Sequence, residues 1–207
     1  VKSLWIALIS TAICLVLAYP LAYLLTRMKE STQNTLIMLL MIPMWMNFLL
    51  RIYAWVTLLQ DNGPIDMMLS LLGIHSTYIG NTGAVILGMV YEYLPFMVLP
   101  IYTVMSKIDN GLIEAAQDLG SNNFTVVAPL SVPGIISGVT MVFVPSASTF
   151  LVAQYLGGPD DIMIGDVIEK IFWTDQNTGS AISLILMIFI FVFLIIMNLF
   201  GDEEAIA

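Results

Sequence analysis

Five long apolar segments alternate with shorter polar stretches along the chain. They cover approximately residues Leu4–Leu25, Leu36–Leu59, Ala84–Met105, Val132–Leu151 and Ser180–Phe200. A helix that crosses a membrane needs about 20 mostly apolar residues, and each segment approaches that length. Because a helix satisfies its own backbone hydrogen bonds where lipid offers no partner, we predict five membrane-spanning helices.

The polar stretches between these segments indicate an orientation. Arg27 and Lys29 follow the first segment, and Lys107 lies between the third and the fourth, so all three fall on one side. Short basic connections are usually cytoplasmic, which places the N-terminus outside. The opposite side carries Lys2, Lys170 and two longer connections. We predict short helices there at Pro64–Leu72, followed by Gly73, and near Ile164–Trp173.

Composition supports an integral membrane protein and argues against an enzyme. Of 207 residues, 59% are hydrophobic and only 10% are charged, with a net charge of −9. A soluble core could not hide that much apolar surface, so residues 1–207 form a single transmembrane domain. We find no nucleophile–base set and no metal-ligand cluster, and we expect neither catalysis nor nucleic-acid binding. His75 is the only histidine, and we assign it no catalytic or metal role.

Two charged residues fall inside the apolar segments, where charge is expensive and usually functional. Arg51 lies in the second segment and Glu92 in the third. One interpretation is a neutralised pair that fixes two helices. The other is that Glu92, between Tyr91 and Tyr93, meets a cationic substrate, since aromatic faces attract ammonium groups and a carboxylate supplies countercharge.

Further candidates for a substrate pathway lie near these charges. Trp45 and Tyr53 could extend an aromatic wall, although aromatic residues in spans more often pack or anchor the interface. The fourth segment is interrupted by prolines and glycines, and broken helices often line transport paths. Ser146 and Thr149 follow that interruption, and Gln154 with Tyr155 could form an outer gate.

The outer connections are rich in acidic residues. An acidic mouth would concentrate cations, but solvated loops or a surface that docks a receptor explain the same pattern. The acidic residues in question are Asp61, Asp66, Asp160, Asp161, Asp166, Glu169 and Asp175.

Residues 107–131 form a polar, helix-prone insert between two apolar segments. It contains Glu114-Ala115-Ala116-Gln117-Asp118-Leu119-Gly120 and ends in Leu130-Ser131-Val132-Pro133. Asp109 or Asn110 can cap a short helix that ends at Gly120 in a left-handed conformation. A second short turn beginning near Ser121 would complete a helix–turn–helix wedge across the membrane plane.

This insert resembles the EAA loop of ABC importer permeases. The resemblance implies an all-α, polytopic membrane helix bundle of the type I importer class, in which six spans are usual, so we expect a sixth span to be missing at the N-terminus. It also implies that a cytoplasmic ATPase docks on the loop. The docking residues would be Glu114, Ala115, Ala116, Asp118, Leu119 and Gly120. Unlike many relatives, the stretch 121–128 carries no basic residue.

Three other stretches resemble the spermidine/putrescine branch of this family and its B-type permease. They span residues 43–55, 94–100 and 133–138. That branch implies two ATPase subunits, a C-type second permease, an extracytoplasmic polyamine-binding protein and a bacterial inner membrane. ATP and Mg²⁺ would be bound by the ATPase, and this chain would need no cofactor.

Three alternatives remain open at this point. The chain could be an ABC importer permease for another solute. It could be an ion-coupled secondary transporter with Glu92 as the coupling acid, or a membrane scaffold that transports nothing. The EAA-like loop favours the ABC importer, because the last two classes have no use for a docking loop.

Overall fold

The computed structural model describes residues 2–71, 73 and 77–204, so Leu72 and His75 lie outside the described part. Every regular element in that part is helical. The elements are α1 Lys2–Thr26, α2 Glu30–Met41, a 3₁₀ turn Ile42–Trp45, α3 Phe48–Leu59, α4 Pro64–Ser70, α5 Thr82–Met105, α6 Asn110–Asp118, α7 Asn123–Leu130, α8 Val132–Ser148, α9 Leu151–Leu156, α10 Ile164–Thr174 and α11 Gln176–Glu204. The five apolar segments are therefore helical over most of their length, as predicted, but not all of them are continuous spans.

Helix α5 forms the centre of the bundle and packs against α1 and α8. The face of α1 that meets its neighbours carries small residues spaced three or four apart, all at most 5% exposed: Ser3, Ala7, Thr11, Cys14, Ala18 and Ala22. Small side chains let helix backbones approach closely, which favours association in lipid. The Cys14 Sγ lies 3.8 Å from the Val90 carbonyl oxygen, and the Ser10 Oγ lies 3.6 Å from the Met89 Sδ.

Glycines produce the matching close approach between α8 and α5. A Cβ atom built on Gly134 would lie 2.9 Å from the Pro100 carbonyl oxygen and 3.0 Å from the Ile101 Cα. One on Gly138 would lie 2.7 Å from the Met97 Sδ. The two glycines are one helical turn apart, so they form a groove on α8 into which α5 fits.

The second predicted span, Leu36–Leu59, is wrong as a continuous helix. Among the described residues, three helices are long and apolar enough to cross a membrane, namely α1, α5 and α11, whereas the second segment bends by 93° between Trp45 and Phe48. Pro43 lies in the 3₁₀ turn, where it removes a backbone donor. The Asn47 side chain then accepts the Leu49 N–H at 2.9 Å and starts α3 in a new direction.

The fourth predicted span, Val132–Leu151, is interrupted as the sequence indicated. Helix α8 ends at Ser148, and α9 begins at Leu151 after a break at Thr149 and Phe150. Pro145 lies in the last turn of α8 and cannot donate a helical hydrogen bond there. The chain therefore leaves the helix axis close to the outer end of the segment.

The two basic connections lie at the same end of the bundle. Helices α6 and α7 form a wedge there, residues 109–131, and the turns after α1 and α5 meet it around a cavity of about 110 Å³ lined by Arg27, Ser106, Ile113 and Val127 among others. Tyr102 donates a hydrogen bond of 2.9 Å to the Gln33 Oε1, which ties α2 to α5 at this end.

At the opposite end of the bundle, Asp161 contacts Lys2, Thr82 and Gly158. We call this group of residues the clasp. The Asp161 carboxylate pairs with the Lys2 Nζ at 2.8 Å and accepts a hydrogen bond of 2.6 Å from the Thr82 hydroxyl. Burial alone would raise the pKa of Asp161, but the hydrogen bonds from Lys2, Thr82 and the Gly158 N–H outweigh it and lower the pKa. The clasp joins the starts of α1 and α5 to the loop after α9.

Helix α11 lies at the edge of the bundle. It packs against α10 and α8, and none of its most apolar 18-residue stretch is buried within the chain. A helix with this composition is stable in an apolar medium and not in water.

Gly134→Ala should destabilise the protein by about 1–3 kcal/mol, because the new methyl group meets backbone atoms of α5 that cannot move aside. The clash outweighs the gain in helix propensity, which is at most about 1 kcal/mol. Thermal unfolding of the purified protein measures the effect. Ser137→Ala, on the exposed side of the same helix, is the matched control, and equal melting temperatures for the two variants would contradict the packing described here.

Candidate functional site

The wedge at the basic end has the local structure that its sequence predicts. The Asp109 carboxylate accepts the Gly111 N–H at 2.9 Å and caps α6. Gly120 adopts a positive φ of 85°, and the following Ser121 N–H bonds back to the Ala116 carbonyl at 2.9 Å. This left-handed turn ends α6 and allows α7 to begin at Asn123. The predictions of an Asp109 cap and of a Gly120 stop are confirmed.

Only a small part of the wedge packs against the bundle. Ile113 and Val127 are buried at 7% and 3% exposure and hold the two short helices in place. The predicted docking residues remain accessible, since Glu114, Ala115, Asp118, Leu119 and Gly120 are exposed and Ala116 is half-buried. Leu119 is 88% exposed, so its side chain is free to contact a partner.

The two charged residues in the apolar segments meet inside the bundle. The Arg51 Nη2 lies 2.7 Å from the Glu92 Oε2, and the two side chains are 10% and 2% exposed. Neither Glu92 oxygen has a hydrogen-bond partner within the described residues, and the Arg51 Nε has none either. The contact is therefore a close ion pair without a well-directed hydrogen bond, and it leaves both acceptor oxygens of Glu92 and the Nε donor of Arg51 without a hydrogen bond among the described residues.

Aromatic side chains lie on the same helices as this ion pair. The Phe48 ring lies 5.8 Å from the Arg51 guanidinium, and Trp55 packs edge-on against Tyr91 with 5.4 Å between ring centroids. Tyr53, also in α3, meets Tyr155 with ring centroids 5.1 Å apart and hydroxyl oxygens 3.3 Å apart. Helix α3 thus contacts both α5 and α9 through residues that attract cations.

The remaining predicted pathway residues divide into two groups. Tyr93 is buried and hydrogen-bonds to Thr149 at the break after α8, and Ser146 is fully buried with its hydroxyl unpartnered among the described residues. Trp45 is 87% exposed at the bend before α3, so it does not share the wall with Tyr53. Phe48 was not among the site residues predicted from the sequence. It lies three residues before Arg51 on the same helix, a spacing that places the two side chains next to each other.

The acidic residues of the outer connections do not act as one group. Asp161 and Asp166 are buried at 5% and 7% exposure. Asp161 belongs to the clasp, and Asp166 accepts the Met163 N–H at 2.8 Å at the start of α10. Asp175 caps α11 through Asn177 and Thr178. Asp66 accepts the Asn62 N–H at 3.0 Å beside the start of α4. These four carboxylates have structural partners, which leaves Asp61, Asp160 and Glu169 as candidates for a cation-attracting mouth.

Family and relatives agree over almost the whole chain. Residues 3–202 match the family described as binding-protein-dependent transport system inner membrane component. The chain is 41% identical over 192 residues to the spermidine/putrescine transport system permease protein PotB of Haemophilus influenzae, covering 88% of this chain and 67% of that protein. It is 40% identical over 195 residues to PotB of Escherichia coli strain K12, covering 90% and 71%.

Solved structures show the same fold at lower identity. The chain superposes with a TM-score of 0.74 and 15% identity on a bacterial ABC transporter involved in the import of the acidic polysaccharide alginate, covering 98% of this chain and 78% of that one. The inward-facing MetNI methionine ABC transporter gives a TM-score of 0.72 at 15% identity, covering 98% and 93%. The type I importer permease fold predicted from the sequence is confirmed.

Removing either partner of the ion pair should be more harmful than removing both. Arg51→Leu or Glu92→Leu leaves an uncompensated buried charge, which costs about 3–5 kcal/mol, whereas the double change removes both charges and recovers part of that loss. A double-mutant cycle on thermal unfolding measures the coupling. Trp45→Leu serves as an exposed control, and strictly additive effects would contradict direct pairing.

Proposed function

The chain belongs to the family of binding-protein-dependent transport system inner membrane components, and we propose that it is the permease subunit of an ATP-driven importer for linear polyamines, spermidine or putrescine. The observation that carries this proposal is the identity of about 40% to two proteins named as spermidine/putrescine permeases, spread over 88–90% of the chain. The membrane would be the bacterial inner membrane, which the chain crosses several times.

The wedge is the proposed contact with the ATPase. Glu114, Asp118 and Leu119 are exposed on its outer side, while Ile113 and Val127 are buried and hold it against the bundle. A partner could bury Leu119 and the small alanines and grip the Glu114 carboxylate with an arginine. Two ATPase subunits would bind ATP and Mg²⁺, and this chain would take no part in the hydrolysis chemistry.

Coupling would follow from the direct connection of the wedge to the spans. Helix α7 passes into α8 through Ser131, whose hydroxyl lies 3.3 Å from the Tyr19 hydroxyl of α1. A displacement of the wedge would therefore be transmitted to α8 through the chain and to α1 through the Ser131–Tyr19 contact. ATP-driven closure of the ATPase pair would move these helices and expose the pathway alternately to the two sides.

The proposed cargo fits the chemistry of the central site. Glu92 offers a carboxylate that is 2% exposed, and the aromatic rings of Trp55 and Tyr91 lie on the same pair of helices. Carboxylates and aromatic faces together are the groups that bind ammonium. An extracytoplasmic polyamine-binding protein would deliver the substrate at the opposite end from the wedge.

The exposed face of α11 fits two remaining partners. Its apolar residues, among them Ile185, Phe191 and Ile195 with 66%, 56% and 59% exposure, would be covered by lipid and by a C-type second permease subunit. Together with the likeness to the B-type permease, this exposed face supports the proposal of a heterodimer.

Glu114→Ala should weaken binding of the ATPase about tenfold or more, because it removes a charged contact at an interface. ATP hydrolysis would become uncoupled from uptake while membrane insertion stays intact. Co-purification and vesicle uptake measure the two effects. Glu30→Ala, an exposed acid at the same end but outside the wedge, is the control; wild-type transport with a normal ATPase response in Glu114→Ala would refute the docking role.

The complete complex in vesicles should take up labelled spermidine only when ATP is supplied at the ATPase face. Putrescine should compete, whereas sulfate and sugars should have no effect. Uptake driven by a proton gradient without ATP would refute the ABC importer in favour of a secondary transporter. ATP-driven uptake of an anion or a sugar in place of spermidine would refute the substrate alone.

A further inference from the structure

We propose that Arg51 is a built-in competitor for the substrate: its guanidinium occupies the position at Glu92 that an ammonium group of the cargo takes during transport. On this proposal, which rests on the polyamine importer function above, the ion pair is a specificity device and not a permanent bridge. A cation enters by displacing Arg51, and Arg51 returns when the cation leaves.

The geometry of the pair leaves hydrogen-bonding capacity for this exchange. A carboxylate can accept about four hydrogen bonds and a guanidinium can donate five. Here one contact of 2.7 Å joins the Arg51 Nη2 to the Glu92 Oε2, and the Glu92 Oε1 and the Arg51 Nε have no hydrogen-bond partner among the residues described. A pair selected for stability alone would be bidentate and surrounded by further donors. The unused acceptor capacity lies on a carboxylate that is 98% buried, which is where a bound ammonium could use it.

Glu92 is the fixed partner. It lies in the middle of α5, a helix that continues without a break from Thr82 to Met105. The neighbouring residues Met89, Val90 and Tyr93 are all buried. Because α5 packs against both α1 and α8, the carboxylate cannot follow the arginine if the pair separates.

Arg51 is the movable partner. It lies in α3, a helix of 12 residues that follows the 93° bend and whose backbone packs mainly on α4 and α9. Its side chain reaches across to α5 and is still 10% exposed, whereas that of Glu92 is 2% exposed. The Phe48 ring on the same helix lies 5.8 Å from the guanidinium in the paired state, and a ring on the same helix can stay close to the charge when Arg51 leaves Glu92.

Exchange avoids the most expensive state, an isolated charge in the membrane interior. A buried carboxylate without a counter-cation costs several kcal/mol, so Glu92 would be neutralised at every step, first by Arg51, then by the cargo. An anion or an uncharged solute cannot take the place of the guanidinium. The pair would therefore admit only solutes that carry a positive charge, and a polyamine also brings a second ammonium group for the surrounding aromatic rings.

Equilibrium binding of labelled spermidine to the assembled permease–ATPase complex in nanodiscs tests this proposal. Arg51→Met removes the competitor while keeping an unbranched side chain, and it should tighten spermidine binding to the permease at least threefold. Arg51→Lys keeps a cation that binds the carboxylate less strongly, and it should increase the affinity for spermidine less than Arg51→Met does. Glu92→Gln should abolish saturable binding, both alone and combined with Arg51→Met.

A purely structural bridge gives the opposite pattern. Arg51→Met would then bind spermidine no more tightly than wild type, and the double variant Arg51→Met with Glu92→Gln would recover both folding and binding; either result overturns the proposal. Thermal unfolding is recorded for each variant. If Arg51→Met does not assemble, the spermidine affinity of Arg51→Lys decides: tighter binding than wild type supports the exchange, and equal or weaker binding overturns it. Failure of the wild-type complex to import spermidine would refute the polyamine function itself, whereas normal import with unchanged affinity in the arginine variants refutes only the exchange.

Discussion

The close approach of α1 and α8 to α5 is the contact on which the rest of the structure depends. Lipid provides no hydrophobic driving force between apolar helices, so their association relies on tight packing. The small residues of α1 and the glycines of α8 supply it, with Gly134 placed against the α5 backbone. This packing fixes α5 as a rigid central helix, and α5 in turn fixes the position of Glu92.

Two prolines lie just before the breaks in the apolar segments. Pro43 precedes the 93° bend before α3, and Pro145 lies in the last turn of α8. Each removes a backbone donor near the break, although α5 continues through Pro95 and Pro100, so proline is not the whole cause. The breaks place Arg51 and Thr149 beside residues of the central helix.

The central ion pair and the wedge lie on one connected set of elements. From Glu92 to the end of α5 at Met105 is about 20 Å along the helix axis at 1.5 Å per residue. The chain then enters the wedge and returns through Ser131 into α8, which packs again on α5. The wedge is covalently continuous with α8, and Thr149, which directly follows α8, hydrogen-bonds to Tyr93 of α5. The two proposed contacts, with an ATPase and with a cation, are thus mechanically linked within one chain.

The sequence by itself determined the helical segments, the side of the basic connections and the wedge with its Asp109 cap and Gly120 stop. Each of these depends on local chemistry: apolar length, capping side chains and a left-handed glycine. It also marked Arg51 and Glu92 as exceptional, because charge is rare in apolar segments. Only the tertiary structure decided that the two meet, since the direction of α3 after its bend depends on packing against α9. The same holds for Trp45, which the bend leaves exposed, and for Asp161, which is paired because distant parts of the chain converge at one end.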